Sequence, residues 1–283
     1  MAQSRVLVAL GMVGIAVPVS VAGAPAPGRL PPARIVSINP CIDAILLEVA
    51  DDRQIAAISH YSQDPQATSI PLDRARRFKA TSGTAEEVMA LAPRLVISGG
   101  HVAPATAAAL QRLRIPLLQL PVPTTVSESI AQIREIAAVT GHVDRGEALV
   151  ARIGAALAAA RPPHSRPIPA LIWQSGGLVP GSGTLASELL ERAGFHNLSA
   201  DYGLKQWDVL PLEYLIARAP RLVLSASGTN GRRDPQLAHP ALMRLGRQIA
   251  IRPFSFRLLQ CGGPTIIAAM ARLSAVRRSL AAS

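Results

Sequence analysis

One thirteen-residue segment occurs twice in this chain, and the repeat limits the folds that the chain can adopt. Residues 86–98 and 213–225 share the order Glu, six residues, Pro-Arg-Leu-Val, an aliphatic residue and Ser. In each copy the run before the proline predicts a helix, and the apolar run after it predicts a short buried strand. A solenoid needs more copies at a shorter period, so two copies 127 positions apart predict two similar lobes.

Short apolar runs alternate with helical stretches on both sides of the chain's midpoint. Outside the repeat, the runs predicted as strands are residues 34–38, 54–58, 117–120 and 170–173, and those predicted as helices are 41–50 and 185–193. Strands that alternate with helices in this way predict parallel sheets flanked by helices. We therefore expect an α/β fold.

A long helical pattern separates the two halves. Residues 126–161 carry apolar side chains at helical spacing, with Gly141 and His142 as the point where a helix would bend or break. We interpret this segment as one linking helix between a first α/β lobe, 34–125, and a second, 168–283. A cleft between two such lobes is a favoured place for a small ligand.

The N-terminal residues have the order of an export signal. Arg5 precedes an apolar run over 6–21, and small residues follow at the end of it. This order predicts a cleaved secretory signal over residues 1–22 and a periplasmic mature protein. A membrane anchor is the alternative, but the run is short for a membrane span and Pro18 interrupts it.

The chain is basic, with a formal net charge of +11. Such a charge can favour nucleic acids or anionic ligands. Here the arginines are scattered, and aromatic residues, at 3% of the chain, are not interleaved with them. This distribution argues against a nucleic-acid interface.

Catalytic motifs are not evident in the sequence. Neither Ser175-Gly176 nor Gly181-Ser182-Gly183 gives the Gly-x-Ser-x-Gly turn of a nucleophilic serine. Paired carboxylates, a metal-binding His pair and the glycine-rich phosphate loops do not occur either. We predict a protein that is not an enzyme, with no catalytic residue, metal site or cofactor of its own. A periplasmic hydrolase is the alternative from another functional class.

Several motifs follow one another in a specific order: the two repeat copies, 34–40, 82–86, 181–184, 193–197 and 262–264. In this order they resemble the periplasmic binding proteins of vitamin B12 and iron-siderophore ABC importers. The resemblance implies two Rossmann-like lobes with parallel sheets, bridged by one long helix. It also implies a monomer that carries a metal chelate, a corrinoid or a ferric siderophore containing cobalt or iron, to a permease dimer in the inner membrane. A haem- or metal-ion-binding protein of the same fold is the alternative.

The resemblance also implies how this protein would meet its importer. Members of the family dock one Glu of each lobe onto arginines of the permease, and the matching residues are Glu86 and Glu213. Carboxylate–arginine pairs are directional and speed encounter. From the residues alone, each Glu is better explained as a first-turn residue favoured by the helix dipole, and the resemblance reverses that preference.

Ligands of open α/β sheets lie beyond the carboxyl ends of the strands. The candidate ligand-binding residues, taken from strand ends and from the resemblance, are Cys41, His60, Tyr61, His101, Trp173, Trp207 and Cys261. Tyr61 and Trp207 match positions where B12-binding members place aromatic rings against the corrin, and such rings can sandwich a flat chelate. Cys41, His60, Tyr61 and His101 also suggest direct haem or metal ligation.

Cys41 and Cys261 lie 220 positions apart. Three interpretations are open: separate buried thiols, a disulfide that pins the lobes, or thiolates that bind ligand or metal. A disulfide requires the two Cα atoms to lie within ~7 Å of each other. By the resemblance, both cysteines border the cleft.

Overall fold

The structure is a computed structural model that describes residues 34–162, 166–226, 234–244 and 248–281. The strands are β1 Ile35–Ser37, β2 Ile55–Ser59, β3 Ala80–Thr81, β4 Leu95–Gly99, β5 Leu117–Leu120, β6 Ile168–Trp173, β7 Leu178–Pro180, β8 Phe195–Asn197, β9 Trp207–Val209, β10 Leu222–Ser225 and β11 Ala250–Pro253. The helices are α1 Pro40–Val49, α2 Leu72–Ala75, α3 Ala85–Ala90, α4 Pro104–Arg112, α5 Val126–Thr140, α6 Val143–Ala160, α7 Leu185–Arg192, α8 Leu198–Asp201, α9 Leu212–Ala217, α10 Pro240–Arg244 and α11 Thr265–Ala281. The predicted export signal, residues 1–22, lies outside the described residues.

Two parallel sheets organise the fold, as the alternation of strands and helices predicts. The first sheet has the order β3-β2-β1-β4-β5 and the second the order β11-β10-β6-β8, and every pairing within them is parallel. A small antiparallel pair, β7 and β9, was not expected from the sequence. The α/β fold class is confirmed.

The two copies of the repeat occupy equivalent places in the two sheets. In the first copy α3 leads into β4, which pairs with β1 and β5. In the second copy α9 leads into β10, which pairs with β6 and β11. Both strands are therefore interior strands, which explains why each is an unbroken apolar run.

The segment between the sheets, predicted as one linking helix, is a pair of helices. α5 ends at Gly141, whose φ of 78° lies in the left-handed region that glycine adopts without strain. A Cβ added at Gly146 would lie 2.5 Å from that of Ala137, so the glycine lets α6 pack closely against α5. An ion pair between Arg134 and Glu147 at 2.7 Å joins the same two helices.

One continuous apolar core joins the two sheets. Ile35 of β1 and Ile172 of β6 both belong to this shared core. Alternate residues of a strand face opposite sides of its sheet, so the neighbours of these residues face away from the core. The helices α1, α5, α6, α7 and α11 fill the space between them. Val36 and Leu171, the neighbours of those strand residues, belong to separate outer clusters. The described residues consequently form one compact unit.

Candidate functional site

A cavity of about 320 Å³ lies where the carboxyl edge of the first sheet faces loops of the second. Its walls from the first half are Asn39, Cys41, Ile42, Gly99, 121–124 and Gln132, and from the second half 183–186, 206–207 and 259–262. Asn39, Gly99 and residues 121–124 follow or end β1, β4 and β5. The cavity therefore lies beyond the carboxyl ends of parallel strands, where open α/β sheets bind ligands.

Asn39 shapes the first-sheet wall of this cavity. Its side chain caps α1 by accepting hydrogen bonds from the backbone N–H groups of Cys41, at 2.9 Å, and Ile42, at 3.3 Å. Its amide nitrogen donates to the Gly99 carbonyl at 3.3 Å. A Cβ at Gly99 would lie 3.0 Å from the Asn39 side chain, so the glycine makes room for this contact. One side chain thus joins the ends of β1 and β4.

Cys41 and Cys261 form a disulfide, with their Cα atoms 5.1 Å apart. The alternatives of separate thiols and of ligand-binding thiolates are therefore wrong. Both cysteines line the cavity. The loop that carries Cys261 is also held by Gly263, whose N–H donates to the Ser129 hydroxyl at 2.7 Å. The two halves are thus fixed to each other along one wall of the cavity.

The motif Gly181-Ser182-Gly183 supports the opposite wall and does not resemble a nucleophile's turn. The backbone N–H groups of its two glycines donate to the carbonyls of Gln206, at 2.9 Å, and Lys205, at 2.7 Å. A Cβ at Gly181 would lie 2.6 Å from the Gln206 carbonyl oxygen, so only glycine permits this approach. The pairing places Gln206 and Trp207 at the cavity.

The two tryptophans have different environments. Trp207 is half-buried on β9 and lines the cavity, so its predicted contact with a ligand stays a prediction. Trp173 is 0% exposed and packs in the outer apolar cluster of the second sheet with Leu171. The prediction that Trp173 binds ligand is wrong, because the alternation along β6 turns its side chain away from the cavity.

Neutral polar groups line the cavity together with apolar ones. The amide and hydroxyl side chains in its walls are Asn39, Thr124, Gln132, Thr184, Gln206 and Gln260. Among the described residues, no Asp, Glu, Lys, Arg or His lines it. Sequence reasoning missed these amides, although Gln206 and Gln260 directly precede the predicted residues Trp207 and Cys261.

Comparison with known proteins places this architecture in a family. Residues 35–244 match the family model described as periplasmic binding protein. The chain belongs to that family. A cobalamin-binding protein of Halobacterium salinarum (strain ATCC 29341 / DSM 671 / R1) is 24% identical over 203 residues, which cover 69% of this chain and 54% of the relative. The chain thus spans about half the length of the curated relatives that it matches.

Two solved structures illustrate the shared fold. The apo periplasmic heme-binding protein RhuT from Roseiflexus sp. RS-1 has a TM-score of 0.68 and 24% identity, covering 86% of this chain and 97% of that one. The periplasmic vitamin B12-binding protein BtuF of Vibrio cholerae has a TM-score of 0.66 and 16% identity, covering 88% and 98%. At these identities the likeness concerns the fold alone.

Three further candidate residues of this binding protein lie at the same sheet edge without lining the cavity. His60 and Tyr61 directly follow β2, and His101 follows β4. All three are exposed, Tyr61 to 52%. The rings of His60 and Tyr61 lie 4.0 Å apart, and His60 Nδ1 lies 3.2 Å from the Thr81 carbonyl oxygen. The structure therefore brings Cys41, Trp207 and Cys261 together and leaves these three side chains in solvent.

A buried carboxyl group supports the turn that carries His60 and Tyr61. Asp43 Oδ2 accepts hydrogen bonds from the Ser59 backbone N–H at 2.9 Å and the Ser62 hydroxyl at 2.6 Å. Its other oxygen, Oδ1, has no partner among the described residues. Burial raises the pKa of Asp43 from 3.8 to about 7.

Glu86 and Glu213 occupy the first turns of α3 and α9. Both side chains are exposed, and neither has a hydrogen bond or ion pair among the described residues. The adjacent Glu87 differs, since it accepts from the Ser82 N–H at 2.6 Å and from the Thr81 hydroxyl, and these bonds hold its pKa below its usual value. Glu86 and Glu213 are thus available to a partner, while Glu87 stabilises the turn between Thr81 and α3.

The described residues lack two kinds of feature. No helix there is both long and apolar enough to cross a membrane. No group of three His, Cys, Asp or Glu side chains there is placed to hold a metal ion.

Proposed function

We propose that this protein is the substrate-binding component of an ABC importer and holds a metal chelate in the cavity between its two sheets. The observation that carries the proposal is the cavity itself, which has walls from both halves at the carboxyl edge of the first sheet. Membership of the periplasmic binding protein family supports it. The ligand is captured and released without chemical change, and no residue has a catalytic role.

The walls of the cavity favour a neutral chelate that carries amide groups, which is the chemistry of a corrinoid. The side-chain amides of Gln206 and Gln260 can donate and accept hydrogen bonds around such a ligand, those of Asn39 and Gln132 each keep one N–H to donate, and the Trp207 ring offers an apolar face. Haem carries two propionates, and burying an unpaired carboxylate is costly. No cationic side chain lines the described cavity to pair with them. The printed name of the Halobacterium salinarum relative, a cobalamin-binding protein, agrees with this choice.

Haem is the second candidate, supported by Tyr61. This side chain is 52% exposed at the sheet edge that borders the cavity, and its hydroxyl has no hydrogen-bond partner among the described residues. Tyr and His are side chains that ligate haem iron. Tyr61 and His60 follow β2, which pairs with β1 in the sheet whose carboxyl edge borders the cavity.

The delivery step rests on Glu86 and Glu213. They occupy matching positions in the two repeat copies, exposed and unpaired among the described residues, and so present two carboxylates for arginines of a permease dimer. We place the protein, as a monomer, in the periplasm, to which the export signal predicted over residues 1–22 would direct it.

Titration of the purified mature protein with cyanocobalamin, ferric desferrioxamine and haemin tests the proposed ligand class. We expect cyanocobalamin to bind, with affinity reduced roughly tenfold by Trp207→Ala, since a buried aromatic contact contributes about 1 kcal/mol or more. Tyr61→Phe is the matched variant for haem. If haemin binds and its absorbance band shifts with wild type but not with Tyr61→Phe, the proposed ligand becomes haem instead of a corrinoid. Failure of all three chelates to bind would refute the proposal.

A further inference from the structure

A second cavity of about 380 Å³ shares no wall residue with the first. α1 contributes Cys41 and Ile42 to the first cavity, and Ala44, Leu47 and Glu48, further along the helix, to the second. The other walls of the second cavity are Ser69, Ile70, Pro71, Arg74, Ser255, Arg257, Leu258, Pro264, Thr265 and Ala268. Its walls therefore come from both halves of the chain, and its chemistry differs from that of the first.

Two arginines from different halves give the second cavity a positive character. Arg74 donates through Nη2 to the Leu47 carbonyl, and Arg257 donates through Nε to the Thr68 carbonyl and through Nη2 to that of Ile70 at 3.4 Å. A guanidinium has five N–H donors, so each group has donors left over. Glu48 is the acidic residue among the walls, and Arg152 pairs with its carboxylate at 3.0 Å.

Three polar groups around this cavity lack partners among the described residues. Arg74 Nε and Ser69 Oγ are buried without a hydrogen bond. Thr265 is only 6% exposed, and no described residue bonds to its hydroxyl. A buried donor left without an acceptor is destabilising, and a ligand rich in acceptors would relieve that cost.

The position of Thr265 adds a favourable field for a negative charge. It is the first residue of α11, a helix of 17 residues, whose N-terminus carries a partial positive charge. Arginine side chains, hydroxyl donors and a helix N-terminus are the groups that proteins use to bind phosphate and carboxylate.

We propose that the second cavity binds a small oxyanion, a phosphate or carboxylate group, between Arg74, Arg257 and Thr265. This site is separate from the chelate cavity and does not depend on the function proposed there. Because residues 69–74 and 255–268 belong to different halves, a bound anion would stabilise the contact between them. A ligand that binds only the folded state raises its stability according to its concentration and affinity.

The probes are inorganic phosphate and sodium acetate, added to the intact mature protein at constant ionic strength set with chloride. Isothermal calorimetry measures binding, and the unfolding temperature reports the linked stabilisation. We expect at least one of the two anions to bind and to raise the unfolding temperature, and their relative affinities identify whether phosphate or carboxylate is preferred. Arg74→Gln should weaken that binding roughly tenfold or more, since it removes a positive charge and its charge-assisted hydrogen bonds to the anion.

Three variants complete the test. Arg112→Gln, an exposed site on α4 outside both cavities, is the control and should bind the anion as wild type does. Glu48→Gln should bind it more tightly, because a like charge is removed from the wall. Thr265→Val should weaken binding as well, and it supplies the same test if Arg74→Gln does not fold.

Two results would overturn the site. One is that neither phosphate nor acetate gives binding heat in calorimetry or raises the unfolding temperature. The cavity would then bind no oxyanion. The other is equal anion affinity in Arg74→Gln, Thr265→Val and Arg112→Gln, which shows that the anion binds elsewhere. Cyanocobalamin affinity in Arg74→Gln should equal that of wild type, because the two cavities share no residue.

Discussion

The disulfide between Cys41 and Cys261 joins the first turn of α1 to the segment that precedes α11, across 220 positions of sequence. It lies in the wall of the first cavity, whose other wall residues come from both halves of the chain. Its closed loop contains nearly all of the folded unit. The bond therefore limits how far the two halves can separate along this wall, and opening of the cavity must come from the side away from it.

Removing this disulfide should lower stability. For Cys41→Ser/Cys261→Ser we expect the free energy of unfolding to fall by about 2–5 kcal/mol, because a bridge that closes a long loop restricts the unfolded chain. Urea denaturation of wild type and variant measures the difference. A reducing agent should destabilise wild type by a similar amount and leave the double variant unchanged. Equal stability of oxidised wild type and variant would contradict the expectation.

The exposed pair Glu86 and Glu213 should matter for uptake and not for ligand binding. We expect Glu86→Ala/Glu213→Ala to abolish uptake by cells that express the cognate importer, while ligand affinity stays within about twofold of wild type, because neither residue lines the cavity. Glu135→Ala, an exposed position on α5, is the matched control and should support normal uptake. Undiminished uptake by the double variant would rule out the docking role.

The fold was predictable because its signals are local. β5 was predicted at its observed bounds. β4 and β10 were predicted from the apolar runs that end the two repeat copies, because an interior parallel strand is an unbroken apolar run. β8 and β11 were missed: Phe195-His196-Asn197 is too short and too mixed to stand out, and β11 contains Arg252. The break between α5 and α6 was visible as Gly141, whose left-handed cap ends α5 through local hydrogen bonds to the carbonyls of Ala137 and Ala138.

The candidate site was predictable only in part, because side-chain direction depends on the sheet. Trp173 and Trp207 look alike in sequence, yet the register of β6 buries Trp173 in the outer cluster while β9 brings Trp207 to the cavity. The pairing of Cys41 with Cys261 likewise needs a three-dimensional distance that no spacing supplies. The neutral amides of the walls, such as Gln132, lie on elements that carry no motif.

The different positions of the tryptophans lead to a fluorescence test of the ligand's location. Trp173→Phe leaves Trp207 as the reporter, and acrylamide should quench it readily because the ring is half-buried at the cavity. Trp207→Phe leaves the fully buried Trp173, whose quenching should be weak. Bound cyanocobalamin should reduce acrylamide quenching only in Trp173→Phe. Equal protection in both variants would place the ligand outside the cavity.

The buried carboxyl of Asp43 should make stability depend on pH. Its folded-state pKa is about 7, above the usual 3.8, because burial disfavours the charged form. Between about pH 4 and 7 the folded state keeps a proton that the unfolded state has lost. The free energy of unfolding should therefore fall as pH rises through this range, by at most about 1.4 kcal/mol per pH unit for one proton, and level off above pH 7.

Asp43→Asn isolates this contribution, because its amide cannot ionise and its oxygen can still accept from the Ser59 N–H. Urea denaturation between pH 4.5 and 8, a range chosen to span roughly the two pKa values, should show that the stability of wild type relative to the variant declines with pH. Asp73→Asn, an exposed position on α2, should keep the wild-type pH dependence. Parallel curves for wild type and Asp43→Asn would mean that Asp43 is ionised in the folded protein. The turn carrying His60 and Tyr61 would then be held by a charged group at neutral pH.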